Sequence, residues 1–219
     1  MAPPLAVAFR GLAAGAAVVG VLVAAPAPAA PSANGTWLSQ PQIWFYASRG
    51  QLERVMAQIR FERYRVVFLD YRQVSDAMQQ EVAQAARRHG LMPVVWVQSP
   101  QYRSMGGADL IHAARHGDGI QVDDHFFANY NHAAFSWLRQ AYTKPIFCSI
   151  QPFQAALVPS SGCNQLDVQC YTPQTFHSCV KLADRLGAVV SLSTQNTLGF
   201  RPGLAGRSYN TFLWPDPAL

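Results

Sequence analysis

Short runs rich in β-branched and aromatic residues alternate with segments of helical periodicity along this chain, and that cadence limits the folds open to it. Strands are predicted over residues 42–47, 65–71, 93–99, 119–123, 145–151 and 188–194, with a weaker seventh over 208–214. Between them apolar residues recur at helical spacing, as in Leu52, Val55, Met56 and Ile59, then Ala77, Met78, Val82, Ala85 and Ala86. The last such segment gathers Phe176, Cys179, Val180, Ala183 and Leu186 on one face and stops at Gly187, a residue suited to a helix end. Strand, helix, strand at this spacing predicts parallel strands joined by crossover helices, an α/β fold.

Two architectures meet that description. A doubly wound sheet often carries a glycine-rich phosphate loop after its first strand, and Ala47-Ser48-Arg49-Gly50 is not one. A (β/α) barrel of TIM type instead collects polar residues at the C-terminal ends of many strands. The predicted strand ends supply Tyr46 and Ser48, Asp70 and Arg72, Gln98, Asp123 with Asp124 and His125, Gln151, and Gln195. Phase agrees, because Gln121 and Asp123 alternate with Ile120 and Val122, Ser149 and Gln151 with Cys148 and Ile150, and Ser191 and Ser193 with Val190 and Leu192. The polar sets are expected to face the barrel interior. A full barrel takes about 250 residues, so six to seven strands predict a reduced or incomplete one, forming a single domain over 42–219. Residues 30–41 are read as a short exposed segment.

The N-terminus reads as a secretory signal peptide over residues 1–29. Arg10 precedes a charge-free apolar run over 11–23, and Ala27 and Ala29 satisfy the small-x-small cleavage rule, which places the cut near Ala29. The run is shorter than the ~20 residues of a membrane span, and Pro26 and Pro28 follow it. A secreted or periplasmic protein is expected, with no membrane insertion of the mature chain. Half the residues are hydrophobic and 13% are charged, which excludes a disordered chain. The net charge of +5 is dispersed, with local concentrations only at Arg60, Arg63 and Arg65 and at Arg87 and Arg88, so nucleic acid is not an expected partner.

Cys148, Cys163, Cys170 and Cys179 would meet an oxidising compartment after export. No C-x-x-C pair is present, which argues against structural zinc. Cys163 and Cys170 bracket an apparent polar loop and are predicted to pair. Cys148, in the apolar phase of its strand, and Cys179, on the apolar face of its helix, are predicted to pair across the sheet-to-helix layer; the alternative is two buried thiols.

Glycosidic cleavage needs two carboxyl groups. Glu53, Glu62 and Glu81 are the chain's glutamates and fall on solvent-facing helix positions. Asp76, Asp109 and Asp184 lie on or beside helices, Asp118 and Asp167 in loops, and Asp216 in the tail. Asp70, Asp123 and Asp124 remain as catalytic candidates. Repulsion between Asp123 and Asp124 favours a retained proton on one of them. The competing roles are helix caps for Asp123 and Asp124 and a turn for Asp70. Tyr46, Tyr71, Trp96 and Trp44 offer aromatic surfaces for a sugar face, and Arg72, Gln98, His125, Gln151 and Gln195 offer polar contacts. A metal cluster of His125 with the two aspartates is weighed and set aside, no cofactor is expected, and no G-x-S-x-G elbow is present.

The segment Glu62-Arg63-Tyr64-Arg65-Val66-Val67-Phe68-Leu69-Asp70 resembles the tyrosine, apolar strand, Leu-Asp segment of glycoside-hydrolase-like (β/α) barrels related to endo-α-1,4-polygalactosaminidase. Gly119-Ile120-Gln121-Val122-Asp123 is similar to their strand ending in aspartate, and Gly90-Leu91-Met92-Pro93-Val94-Val95-Trp96-Val97 to their third strand. The likeness covers about residues 42–150. It implies that Asp123 occupies the catalytic position and that Asp70 lines the site. Those enzymes place a second carboxylate on a later strand as glutamate, whereas no glutamate follows Glu81 here and Gln195 ends the sixth predicted strand. The expected function is action on, or binding of, extracellular or cell-wall carbohydrate. The alternative is a noncatalytic glycan-binding or structural envelope protein. The oligomeric state is left open by the sequence.

Overall fold

The computed structural model describes residues 34–97, 107–129, 132–158 and 162–214. The signal-peptide reading and Gln98 lie outside these residues. The elements in order are β1 (Gly35–Leu38), α1 (Gln40–Ser48), α2 (Leu52–Phe61), β2 (Val66–Leu69), α3 (Asp76–Arg88), β3 (Met92–Val97), α4 (Gly107–Ala113), β4 (Gly119–Val122), α5 (Asp124–Asn129) and α6 (His132–Ala141). They continue with β5 (Ile146–Ile150), β6 (Gln165–Gln169), α7 (Phe176–Leu186), β7 (Val189–Ser193) and β8 (Tyr209–Phe212). All eight strands are parallel and pair in sequence order, and β8 closes on β1 through Gly35 opposite Asn210. The fold is a complete eight-stranded barrel, not a reduced one of six or seven strands. The saving in length falls on the crossovers, since short 3-10 segments, Pro152–Leu157 and Leu198–Leu204, take the place of α-helices after β5 and β7.

Two strands escape the periodicity reading. β1 lies within the segment expected to be exposed, and residues 42–47 belong to α1 instead. Their aromatic, β-prone composition is overridden by tertiary packing, because helical spacing buries Ile43 and Tyr46 together while Trp44 stays partly exposed. Ser39 and Pro41 start the helix, with the Ser39 backbone N–H donating to Gln42 Oε1 at 2.9 Å. Gly35 permits the closure of the barrel: a Cβ there would lie 2.6 Å from Phe68 Cε2.

The second missed strand, β6, reads as a polar loop only because its inward face is polar. Gln165, Asp167 and Gln169 alternate with Leu166 and Val168, and the two apolar residues pack with the outer core. This strand overturns both predicted disulfides. Cys163 and Cys170 flank an extended segment, and seven residues at ~3.3 Å each separate them by roughly 20 Å, far beyond disulfide reach. The bonds are Cys148–Cys163 and Cys170–Cys179, with Cα separations of 5.8 and 5.6 Å. Cys148 and Cys179 do pack in the apolar layer between barrel and helices, but each bonds to a cysteine flanking β6.

The core has two parts. Outward residues such as Val67, Leu69, Val95, Ile120, Val122, Ile146, Ile150, Val168 and Leu192 pack against the helices. Inside the barrel Trp37, Val66, Phe68, Val94, Trp96 and Phe147 form a second cluster, with Trp37 stacked on Phe68 at 4.3 Å between centroids. The interior is therefore divided. β1 to β3, with Phe147 of β5 and Phe212 of β8, contribute apolar and aromatic groups, while β4 to β8 also contribute Gln121, Ser149, Asp167, Ser191 and Asn210, all buried. No helix among the described residues is long and apolar enough to cross a membrane.

Candidate functional site

The polar half of the interior opens into a cavity of about 210 Å³ at the C-terminal mouth of the barrel. Its walls are aromatic on one side, from Trp37, Trp96, Tyr171 and Phe212, and polar on the other, from Gln121, Asp123, Asp124, His125, Ser149 and Gln169. Phe212 organises the aromatic wall: Tyr171 stacks on it at 5.4 Å, and Trp37 and Trp96 meet it edge-on at 5.7 Å each.

Asp123 follows β4 and combines two roles. Oδ1 accepts the backbone N–H groups of His125 at 3.1 Å and Phe126 at 3.4 Å, so the carboxyl caps α5, and Oδ2 accepts the indole N–H of Trp96 at 3.2 Å. Burial pushes its pKa up to about 7; the charge of Asp124 adds to the rise, while His125, Trp96 and the Phe126 N–H oppose it. With Oδ1 occupied by two donors, a retained proton belongs on Oδ2. The repulsion anticipated between the two aspartates is present, but burial is the larger cause.

Asp124 does not act as a cap. Its Oδ2 accepts from Gln151 Nε2 at 2.8 Å and its Oδ1 from Gln169 Nε2 at 3.2 Å, and Gln154 Nε2 holds its backbone carbonyl at 2.8 Å. Two side-chain amides thus fix its carboxylate on the cavity wall. Beneath it Asp167 accepts the hydroxyls of Ser149 at 2.7 Å and Ser191 at 2.6 Å on Oδ2. Asp167 is fully buried, and burial raises its pKa to about 7 against the lowering effect of the two serines. Burial likewise raises the Tyr171 phenol well above its usual value, with the nearby aspartates adding to the effect.

Several predicted site residues lie elsewhere. Asp70 ends β2 with both oxygens on Arg72, Nε to Oδ1 at 2.8 Å and Nη2 to Oδ2 at 2.5 Å, and also accepts the Arg72 backbone N–H. It is the turn aspartate of the alternative reading, and neither it nor Arg72 lines the cavity. Tyr46 is buried on α1 beside Trp214, and the Tyr71 hydroxyl donates to the Gln79 carbonyl at 3.0 Å. Gln195 sits exposed in the turn after β7, which ends at Ser193. Trp96, Asp123, Asp124 and His125 come together in the cavity, with Gln151 directly behind Asp124.

Trp37, Gln169, Tyr171 and Asp167 were missed because they lie on or next to the two unrecognised strands. The strict alternation from Gln165 to Gln169 was the signal that would have found three of them. Potential ligand atoms of Asp123, Asp124 and His125 lie within 4.8 Å of one another.

No family model matches the chain, and no curated protein matches it in sequence. The fold is shared with solved structures. A citrate synthase variant superposes with a TM-score of 0.54 at 13% identity, covering 85% of this chain and 87% of that one. A truncated 3-deoxy-D-arabino-heptulosonate 7-phosphate synthase from Thermotoga maritima gives 0.54 at 15% identity, covering 75% and 69%. A mutant tryptophan synthase α-subunit from Pyrococcus furiosus gives 0.53 at 11% identity, covering 83% and 86%. At these identities the likeness establishes a TIM-type barrel and nothing of the chemistry at its mouth.

Proposed function

We propose that this is an exported protein whose barrel mouth acts on extracellular or cell-wall carbohydrate, with Asp123 as proton donor to a glycosidic oxygen. One observation carries the proposal: a carboxyl with a pKa near 7 stands beside a second, amide-held carboxylate in a cavity walled by four aromatic rings. The rings offer flat apolar surfaces to a sugar's C–H face, and Gln169, His125 and Asp124 offer partners for its hydroxyls. Asp123 near its midpoint at neutral pH can give and take a proton. Asp124 supplies negative charge where positive charge develops on the sugar carbon. The two disulfides and the apolar leader fit export.

A second reading, glycan binding without cleavage, is favoured by the placement of the other carboxyls. Asp70 is bound to Arg72 and Asp167 is buried under Ser149, so neither faces Asp123 across the cavity. Incubation with neutral, N-acetylated and deacetylated cell-wall oligosaccharides, scored for new reducing ends and for binding heat, separates the readings. Reducing ends from the wild type and none from a folded Asp123→Asn variant support hydrolysis. Binding without new ends selects the second reading, and neither response to any sugar removes both.

A further inference from the structure

Asp167 has no place in the chemistry proposed above, being fully buried and absent from the cavity wall. It is nonetheless joined to that wall by hydrogen bonds of fixed direction. We infer that Asp167 is a positioning residue for the Asp124 carboxylate, acting through the Ser149 hydroxyl and the Gln169 amide. The inference rests on the reading of the cavity as a carbohydrate site only for its consequence in catalysis, and the network itself stands apart from that reading.

The argument follows the single proton of a hydroxyl. Ser149 Oγ at 2.7 Å and Ser191 Oγ at 2.6 Å share Asp167 Oδ2, and a proton retained by this carboxyl belongs on Oδ1, which neither serine touches, so Oδ2 accepts from both hydroxyls in either protonation state. With its proton committed downward, Ser149 Oγ meets Gln169 solely as an acceptor. The Gln169 amide must therefore turn its Nε2 toward Ser149, at 3.1 Å. The second N–H of the same nitrogen then reaches Asp124 Oδ1 at 3.2 Å. The Asp124 carboxylate calls for the same nitrogen, so Asp167, through Ser149, and Asp124 select one orientation of the Gln169 amide from its two sides. Without an acceptor at position 167, the Ser149 hydroxyl is free to donate to Gln169 Oε1. The amide could then rotate by 180° and present an oxygen to the Asp124 carboxylate, which repels it. Gln151 would be left as the one side-chain amide on that carboxylate.

The backbone is built for this role. Ser149 and Asp167 are register partners on β5 and β6, and Gln169 is two residues farther along the same inward face, one layer nearer the mouth. Ser191, the register partner of Gln169 on β7, donates to the same Asp167 oxygen at 2.6 Å but has no bond to Gln169. This asymmetry supplies an internal control, since two serines share one acceptor and only one of them leads to the site.

The test uses the intact chain with its disulfides, labelled with ¹⁵N and ¹³C, at one fixed pH and without ligand. The signals are the Gln169 side-chain amide pair and the Asp124 carboxyl carbon. Ser149→Ala and Asp167→Ala should both move these signals and speed hydrogen exchange of the Gln169 amide severalfold. Ser191→Ala should leave them at their wild-type positions. Asp167→Asn, whose carbonyl oxygen can still accept both hydroxyls, should restore the wild-type pattern. If Asp167→Ala fails to fold, Ser149→Ala against Ser191→Ala decides alone. Unmoved Gln169 and Asp124 signals in a folded Ser149→Ala variant, or equal movement in Ser191→Ala, would overturn the inference. On any carbohydrate that the wild type cleaves, Ser149→Ala should lower kcat roughly tenfold with little change in KM, as expected for lost transition-state positioning. Absence of cleavage by the wild type bears on the proposed function and leaves the spectroscopic result to judge the network.

Discussion

The indole N–H of Trp96 donates to Oδ2 of Asp123 over 3.2 Å, tying the aromatic wall of the cavity to its one carboxyl with a pKa near 7. The bond favours the charged carboxylate and so opposes the upward push of burial. A hydrogen bond to a charged group contributes roughly 1 kcal/mol or more. Trp96→Phe should therefore raise the Asp123 midpoint by roughly half to one pH unit. Carbon-13 titration of the Asp123 carboxyl measures it, and a midpoint that stays put or falls contradicts the assignment.

Asp123 and Asp167 both hold protons more tightly in the folded state than their ordinary value of 3.8 allows, each with a pKa near 7. Their contribution to stability is complete below 3.8 and is lost as pH rises through about 7. Thermal melting followed by circular dichroism should give a Tm that climbs as the buffer goes from about pH 8 to about pH 5. Asp167→Asn should flatten part of that slope. A Tm that falls steadily over this window is the contrary result.

Arg72→Ala would leave the fully buried Asp70 without its guanidinium partner. Loss of one member of a buried pair costs roughly 3 kcal/mol or more. Urea unfolding should register that loss, while Asp70→Asn, which removes the charge as well, should cost less. Carbohydrate binding should survive in a folded Asp70→Asn protein. Its disappearance there would return Asp70 to the site.

Both disulfides hold β6, since Cys163 stands just before it and Cys170 just after it. The loop model gives roughly 3 kcal/mol for a crosslink spanning about 15 residues. Reduction should lower Tm, and peptides mapped without reductant should join Cys148 to Cys163 and Cys170 to Cys179. A Cys163–Cys170 peptide would be incompatible with β6 as a strand.

The strands with a β-rich run on both faces were legible from composition and spacing, as were the helices of α2, α3 and α7. β2, β4, β5, β7 and β8 fall within the predicted ranges, β3 starts one residue ahead of its own, and α7 ends at Gly187 with φ of 61°, the left-handed conformation expected there. The inward phase of Gln121, Asp123, Ser149 and Ser191 was legible for the same reason, because alternation along a strand is a local property. Asp123 and Asp124 could be picked out as strand-end carboxylates in a chain whose glutamates sit on helices or, for Glu62, at a helix end.

Closure was not legible. β1 has four residues and β6 is polar at every second position, so neither carries a strong local signal, and each is a strand because its neighbours offer unpaired edges on both sides. Pairing of cysteines and the arrival of Gln169 and Tyr171 beside Asp124 depend on β6 being extended, whereas the capture of Asp70 by Arg72 is made within the turn after β2. The sequence by itself determined an alternating α/β chain with a carboxylate pair at the end of one strand. Only the tertiary structure decided which side chains surround that pair, because those neighbours come from strands whose existence is fixed by hydrogen bonds across the barrel.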